Sequence, residues 1–455
     1  MARRFRPYNL SQPLLFSTDI REWLPKGHVS IFISDMVESM DLSSFYASYE
    51  MGRGRPGYDP RLLLKLLVYG YSKGIRSSRR IEAATHEDVA FRILAGGCHP
   101  DHDTIAAFRS RHSAAFSAVF LQVLELCKKA GLLKVEHISL DGTKIKANAS
   151  RCKSEPYTKL LKTREELEEE IQAILLEADE IDRKEDQKFG KGKRGDELPP
   201  ELLDKKTRQA AIDRLIAEIE SEAHQKQREY PEKKAKMKQE DDEWMAENGR
   251  KFERRPPLNP TGKPVEDIIL SRRNPTDYDS RIMKSGTSNG HCQGYNCQAA
   301  VDVGSQIIVS ADVANQPNDC GLSRPLLMQA VENTGQVPSF LSADSGYFSE
   351  RDIVWIEKQG VDPYIPPRKG DIGKRFVRTS RGTKTLTEEM RDKLMTATGQ
   401  RIYSKRKSTI EPVFGQVKEN RGFRSFLLRG IDKVKAEWQL IATAHNLGKL
   451  KVATT

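Results

Sequence analysis

Three acidic residues, Asp141, Asp344 and Glu411, stand where a carboxylate can do chemistry. Asp141 follows the short, apolar, partly β-branched run Val135 to Leu140 and precedes Gly142-Thr143, as at the exit of a buried strand into a turn. The run Phe340-Leu341-Ser342-Ala343 leads into Asp344-Ser345-Gly346 with the same syntax. Glu411 lies in a helical pattern, with Gly415 and Lys418 on its face and Ile410, Phe414 and Val417 forming an adjoining apolar stripe. Acids of this kind suit a hard cation: magnesium takes one or two carboxylates per ion and fills its octahedron with water and substrate phosphate. Two such ions about 4 Å apart activate an attacking oxygen and neutralise the leaving one in phosphodiester cleavage. Taken singly, an aspartate beside glycine is usually a turn residue and a helical glutamate is usually solvated. Only their joint placement carries meaning.

That placement depends on the elements around them. After the first strand, Tyr295 to Val303 and Gln306 to Val313 are β-rich runs joined by Gly304-Ser305, which predicts an antiparallel hairpin with a two-residue turn. A helix over Gly321 to Glu332, the strand into Asp344, a helix over Glu350 to Lys358 and a strand over Asp362 to Ile365 follow. A basic loop from Pro366 to Lys384 carries Arg368 and Lys369, and the last helices fall near 409–420 and 433–450. Pro412, comfortable only in a helix's first turn, predicts a helix start at Glu411 that leaves Tyr403 and Lys407 outside. Strand, insertion, hairpin, helix, strand, helix, strand, helix is the order of a ribonuclease-H-like fold, a mixed sheet flanked by helices with acids meeting at one end of neighbouring strands.

The sequence thus reads as multidomain α/β. Residues 1–133 form a helical N-terminal domain, with Asp59-Pro60 opening a leucine-rich helix. Its Arg76, Arg79, Arg80, Arg109 and Arg111 either face DNA in helix-turn-helix fashion or are ordinary surface arginines. The catalytic domain comprises 134–154 and 266–455. Between them, 155–265 is a charged insertion in which Leu167, Ile171, Ile174, Ala178 and Ile181, then Ile212, Leu215 and Ile219, recur at helical steps. The glycine-rich stretch from Phe189 to Gly195 with Pro199-Pro200 turns these two helices into an antiparallel, coiled-coil-like hairpin, and 225–265 reads as exposed helix or disorder.

With 455 residues and a formal net charge of +11, the chain favours a polyanionic partner, nucleic acid first. Its six cysteines are scattered, which argues against a disulfide framework and a zinc ribbon and fits a reducing cytosol. No apolar run is long enough for a membrane span or signal sequence, so the expected location is cytoplasmic.

Four blocks carry a family resemblance. They are Ser139 to Ser150, Gln293 to Asp302, Ala343 to Phe348 and Ile410 to Lys418, and they resemble the catalytic blocks of bacterial insertion-sequence DDE transposases, in particular the group numbered eleven eighty-two. The helical region before residue 115 also resembles that group's N-terminal domain. The resemblance implies that Asp141, Asp344 and Glu411 hold two Mg²⁺ or Mn²⁺ ions and that Lys418 matches the lysine of the group's Tyr-Arg-Glu-Lys signature. That signature sets arginine four and tyrosine seven residues before the glutamate, where this chain has Lys407 and Ser404, with Arg406 and Tyr403 each one step off. Tyr403, Arg406, Lys407 and Lys418, with Arg368, Lys369, Arg79 and Arg80, are the expected DNA contacts. Asp302 and Asp319 are read as supporting or structural acids.

The implied activity is metal-dependent cutting of a mobile element's ends and their joining to target DNA, by a homodimer or larger assembly on DNA. A ribonuclease-H-fold nuclease or resolvase would share the three acids. A transposase-derived DNA-binding protein with catalysis lost would keep the basic surfaces.

Overall fold

The computed structural model describes residues 19–47, 49, 57–189, 200–248, 272–284, 290–367 and 385–454. The sequence-predicted loop residues Arg368 and Lys369, most of the basic loop that holds them and the turn between the paired helices lie outside these residues.

Among the described residues, seven α-helices precede the first strand: α1 Val29–Glu38, α2 Ser43–Tyr46, α3 Pro60–Ser72, α4 Ser78–Glu87, α5 Val89–Leu94, α6 His102–Arg111 and α7 Ser113–Lys129. Asp59 caps α3 by accepting from the Arg61 amide, with Pro60 in the first turn where no donor is missed. Asp88 ends α4 and caps α5 by accepting from the Phe91 amide. The buried faces of these helices join one hydrophobic core with the sheet that follows.

The sheet has strands β1 His137–Lys146, β4 Arg281–Lys284, β5 His291–Asp302, β6 Ile308–Ala314, β7 Phe340–Ser342 and β8 Asp362–Tyr364, while β2 Glu155–Pro156 and β3 Arg272–Arg273 form a separate short ribbon. Its order is β4-β5-β1-β7-β8, with β6 beside β5. β5 pairs antiparallel with β1, β4 and β6, whereas β1, β7 and β8 run parallel. This mixed sheet, with helices packed on it, has the ribonuclease-H-like order.

Two features depart from the sequence expectation. β1 does not end at Leu140: it continues through Asp141-Gly142-Thr143 to Lys146, because β5 pairs with it residue by residue from Gly294 to Asp302. Asp141 is therefore mid-strand. The β5–β6 connection is also longer than two residues, as Asp302 is buried and its Oδ2 accepts from both the amide and hydroxyl of Ser305, while Gln306 takes a positive φ of 60°.

Between the sheet strands stand α8 Tyr157–Phe189 and α9 Pro200–Asn248. They pack antiparallel through Leu160, Leu167, Ile212, Ile216 and Ile219, with Arg164–Asp213 at 3.9 Å and Lys205–Glu170 at 3.0 Å flanking this small core. The side chains of the predicted core residues Ile174, Ala178 and Ile181 lie outside the described ones. α9 runs much farther than the periodic residues require, continuing through Pro231 to Asn248.

The C-terminal part holds α10 Ser323–Thr334, α11 Glu350–Lys358, α12 Leu386–Met395, α13 Ala397–Gly415 and α14 Ile431–Thr454. α13 corrects the reading of Pro412. The helix starts at Ala397, capped by Thr396, and carries the proline in its last turn. Proline deprives the carbonyl four residues back of its donor; that carbonyl, on Ser408, instead accepts from Gln306 Nε2 at 3.1 Å. A single π-helical turn, Gln416–Asn420, follows. Tyr403 and Lys407 lie inside the helix. α14 is buried over most of its length, with Trp438 Nε1 donating to the Gln298 carbonyl at 2.9 Å. Among the described residues no helix is long and apolar enough to cross a membrane.

Candidate active site

Register fixes two of the acids at one level. Ser139 on β1 lies opposite Ser342 on the parallel β7, so Asp141 and Asp344, each two residues further on, emerge side by side at the same depth. Ser342 Oγ meets Ser139 Oγ at 3.3 Å and His137 Nε2 at 2.9 Å, so the row beneath the acids is itself bonded across the two strands. Asp344 lies beyond the strand end and caps the 3-10 turn Ser345–Tyr347, its Oδ1 accepting from the Gly346 amide at 2.9 Å. Asp141 Oδ1 accepts from the Gly142 amide at 2.8 Å, and its Oδ2 accepts from Arg406 at 2.9 Å.

Arg406 sits on the inward face of α13 with Ile402, Tyr403, Thr409, Ile410 and Val413. Tyr403 is buried, and the Arg406 guanidinium lies 5.8 Å from its ring centre. The sequence assigned Tyr403 and Arg406 to the DNA backbone, but both are turned into the protein, and Arg406 acts on Asp141. Lys407 and Glu411 are exposed on the same helix. Lys418 is half-buried, and burial pulls its ammonium below the usual lysine range.

Burial pushes Asp141 up to about 6, against the pull of Arg406, and the neighbouring charges of Asp344 and Asp319 add to the rise. The same acids, after burial, hold the Tyr347 hydroxyl well above its ordinary range. Tyr347 donates to Gln298 Oε1 beside them.

Asp319, read from the sequence as a supporting or structural acid, lies against both site aspartates' segments. Its Oδ1 accepts from Asn296 Nδ2 at 2.7 Å and Gln298 Nε2 at 2.9 Å, and Lys144 Nζ stands 3.5 Å away. A side chain at Gly142 would place its Cβ 2.5 Å from Gln298 Nε2, 2.7 Å from Asp319 Oδ1 and 2.9 Å from Asn296 Oδ1. A Cβ at Gly346 would lie 3.0 Å from Asp344 Oδ1 and 3.3 Å from Asp319 Oδ2. The glycines that follow the two site aspartates therefore leave room for Asp319, which is seated between the segments that carry them. The signal available beforehand was this pairing of Asp141-Gly142 with Asp344-Ser345-Gly346, a demand for close approach by a third segment.

Asp141, Asp344 and Asp319 face the two cations Arg406 and Lys144. A partly buried carboxylate with another beside it, incompletely balanced by one guanidinium, is a donor set that fits a hard divalent cation. Among the described residues no three His, Cys, Asp or Glu side chains stand in metal-holding geometry, and Glu411 is not drawn into the acid pair.

Arg79 and Arg80 are exposed on α4, as a DNA contact requires. Arg109, expected on the same surface, is buried and donates to the Arg76 carbonyl at 2.8 Å, so it ties α6 to the segment after α3.

A mixed sheet in ribonuclease-H-like order, with helices packed on it, defines the fold class. Comparison with known families narrows it: residues 18–111 match the transposase domain DUF772, and residues 269–447 match the transposase DDE domain. Two stretches of the chain thus match transposase domains, one on each side of the paired helices; the second match contains Asp344 and Glu411 and begins after Asp141. Neither the curated proteins nor the solved structures yielded a match.

Proposed function

We propose that this protein is an insertion-sequence transposase of the group numbered eleven eighty-two, which cuts the ends of a mobile element and joins them to target DNA. The observation that carries the reading is the level placement of Asp141 and Asp344 on adjacent parallel strands, in a chain that matches transposase domains. Asp141, Asp344 and Glu411 would hold Mg²⁺ or Mn²⁺, two ions in all, with Glu411 reaching the pair from α13. When bound, the ions supply a Lewis acid and an activated oxygen nucleophile for in-line attack on a phosphodiester.

The chain's own residues do the positioning. Asp319 and the cross-strand row Ser139–Ser342 hold the two aspartates in register before substrate arrives, and Tyr347, Gln298 and Asn296 fix Asp319 in turn. Arg406 keeps Asp141 charged despite its burial. Lys418, Lys407, Arg79, Arg80, Arg368 and Lys369 contribute phosphate contacts, and the protein works in the cytoplasm as a homodimer or larger assembly on DNA.

Incubation with labelled element ends and Mg²⁺ or Mn²⁺ tests the proposal. Wild type is expected to give metal-dependent cleavage and joined products, both lost in Asp344→Ala. Cleavage without joining would favour a nuclease or resolvase. DNA binding without any metal-dependent cut would mark a catalytically silent DNA-binding protein.

A further inference from the structure

At the root of the paired helices lies a groove of about 1010 Å³. Five cations line it: Arg151, Lys159, Arg272, Arg273 and Arg281. They come from separate stretches of chain: the segment after β1, the start of α8, the β3 ribbon and β4. Few carboxylates oppose them. Glu155 bonds Lys159 at 2.9 Å, and Glu222 of α9 is shared between Arg273 at 2.6 Å and Arg281 at 3.7 Å. Arg151 and Arg272 form no ion pair among the described residues; Arg151 donates to the His291 carbonyl at 3.1 Å. Burial and then the nearby Arg273 pull Arg281 below its ordinary range, against the opposing pull of Glu222.

The groove is joined to the acid pair through one short loop. Asn315 and Pro317 form its far rim, and Asp319, two residues on, is the carboxylate seated against Gly142 and Gly346. Gln316 Nε2 donates to the carbonyls of Asn318 and Cys320, at 3.1 and 3.0 Å, so rim and carboxylate are parts of one braced turn.

We infer that this groove is a track for the phosphate backbone of DNA on its way to Asp141 and Asp344, walled by the root of the inserted helices. The inference rests on the transposase reading and deepens it. Cations spread over several chain segments match a row of phosphates, one charge per ~1.7 Å of duplex axis, better than they match a single anion. The inserted helices thereby serve the DNA path, because Glu222 on α9 holds the two arginines of the groove wall in place.

Cys152, an exposed free thiol lining the groove, tests this in the unmodified protein. Its alkylation rate, read by peptide mapping, is expected to fall several-fold when a labelled duplex is added at saturation. As a second arm, Arg151→Gln with Arg272→Gln should lower the slope of log affinity against log salt by about 1.8, at ~0.9 for each phosphate no longer neutralised. Lys129→Gln with Lys358→Gln, which removes equal charge at the exposed ends of α7 and α11, should leave the slope unchanged. If the wild type binds and cuts DNA while Cys152 stays reactive and the groove variant keeps its slope, the groove inference fails and the transposase reading stands. If the wild type binds no DNA, both fall.

Discussion

The acid end of the sheet and the paired helices inserted after β1 are built on opposite terms. At the acid end each group is held by several others: Asp319 alone meets Asn296, Gln298 and Lys144 and fills the space left by two glycines. In the paired helices, a thin line of Leu160, Leu167, Ile212, Ile216 and Ile219 is flanked by exposed ion pairs between long side chains. The first region tolerates almost no change in shape, because close-packed neighbours cannot relax around an added atom. The second needs only the right periodicity. Position is specified where chemistry happens, and amphipathic pattern suffices where a wall is built.

The sharpest way to break this contrast is Gly142→Val. A side chain there collides with Gln298, Asp319 and Asn296, so strand cleavage should fall by about 100-fold or more, as displacements of about 1 Å do in a preorganised site. Cleavage kinetics on the folded variant measure it, and near-normal rates would show that Asp319 does not constrain the site. In the paired helices, Ile216→Ala should cost about 2–5 kcal/mol, but locally. Hydrogen exchange should rise in α8 and α9 while the sheet amides keep their protection; a global loss would tie the insertion's stability to that of the core.

Acid should act on the sheet side of the comparison. Burial, and then Lys405, draws His137 down to about 4; burial draws His445 to about 4, with Arg421 and Lys449 adding to the effect. Both are kept neutral in the fold, so below the ordinary value near 6.5 the unfolded chain binds protons that the folded chain does not. This stability is fully present above about pH 6.5 and is lost as pH falls toward 4, at about 1.4 kcal/mol per unit for each histidine. Urea titrations across that range check it, and His445→Gln should flatten the dependence if the variant folds. The smallest effect belongs to the hairpin surface. Arg214→Ala, which removes an exposed pair with Glu218 at 3.1 Å, should change stability by less than about 0.5 kcal/mol in the same assay.

The order of strands and helices was legible because apolar β-branched runs and glycine or proline punctuation are local signals. That Asp141 and Asp344 come from the segments of two neighbouring strands followed from that order, although Asp141's place within its strand did not. What was not legible came from distant partners. β1 runs past Asp141 only because β5, about 150 residues on, supplies its ladder to Lys146. Pro412 sits within a helix because Gln306 satisfies the carbonyl it strands. Arg406 and Tyr403 look like surface groups of a basic segment until the inward face of α13 is set against Asp141. Asp319 was legible as a supporting or structural acid, but nothing within its own segment names the two glycines it fills.

The central claim is that Asp141 and Asp344 act as one cation-binding pair. Manganese binding followed by electron paramagnetic resonance tests it most directly, comparing wild type with Asp141→Asn, Asp344→Asn and Glu411→Gln. The account predicts that either aspartate change weakens binding at least tenfold while circular dichroism stays unchanged, and that Glu411→Gln also weakens it if α13 completes the site. Equal manganese affinity in wild type and both aspartate variants would contradict it.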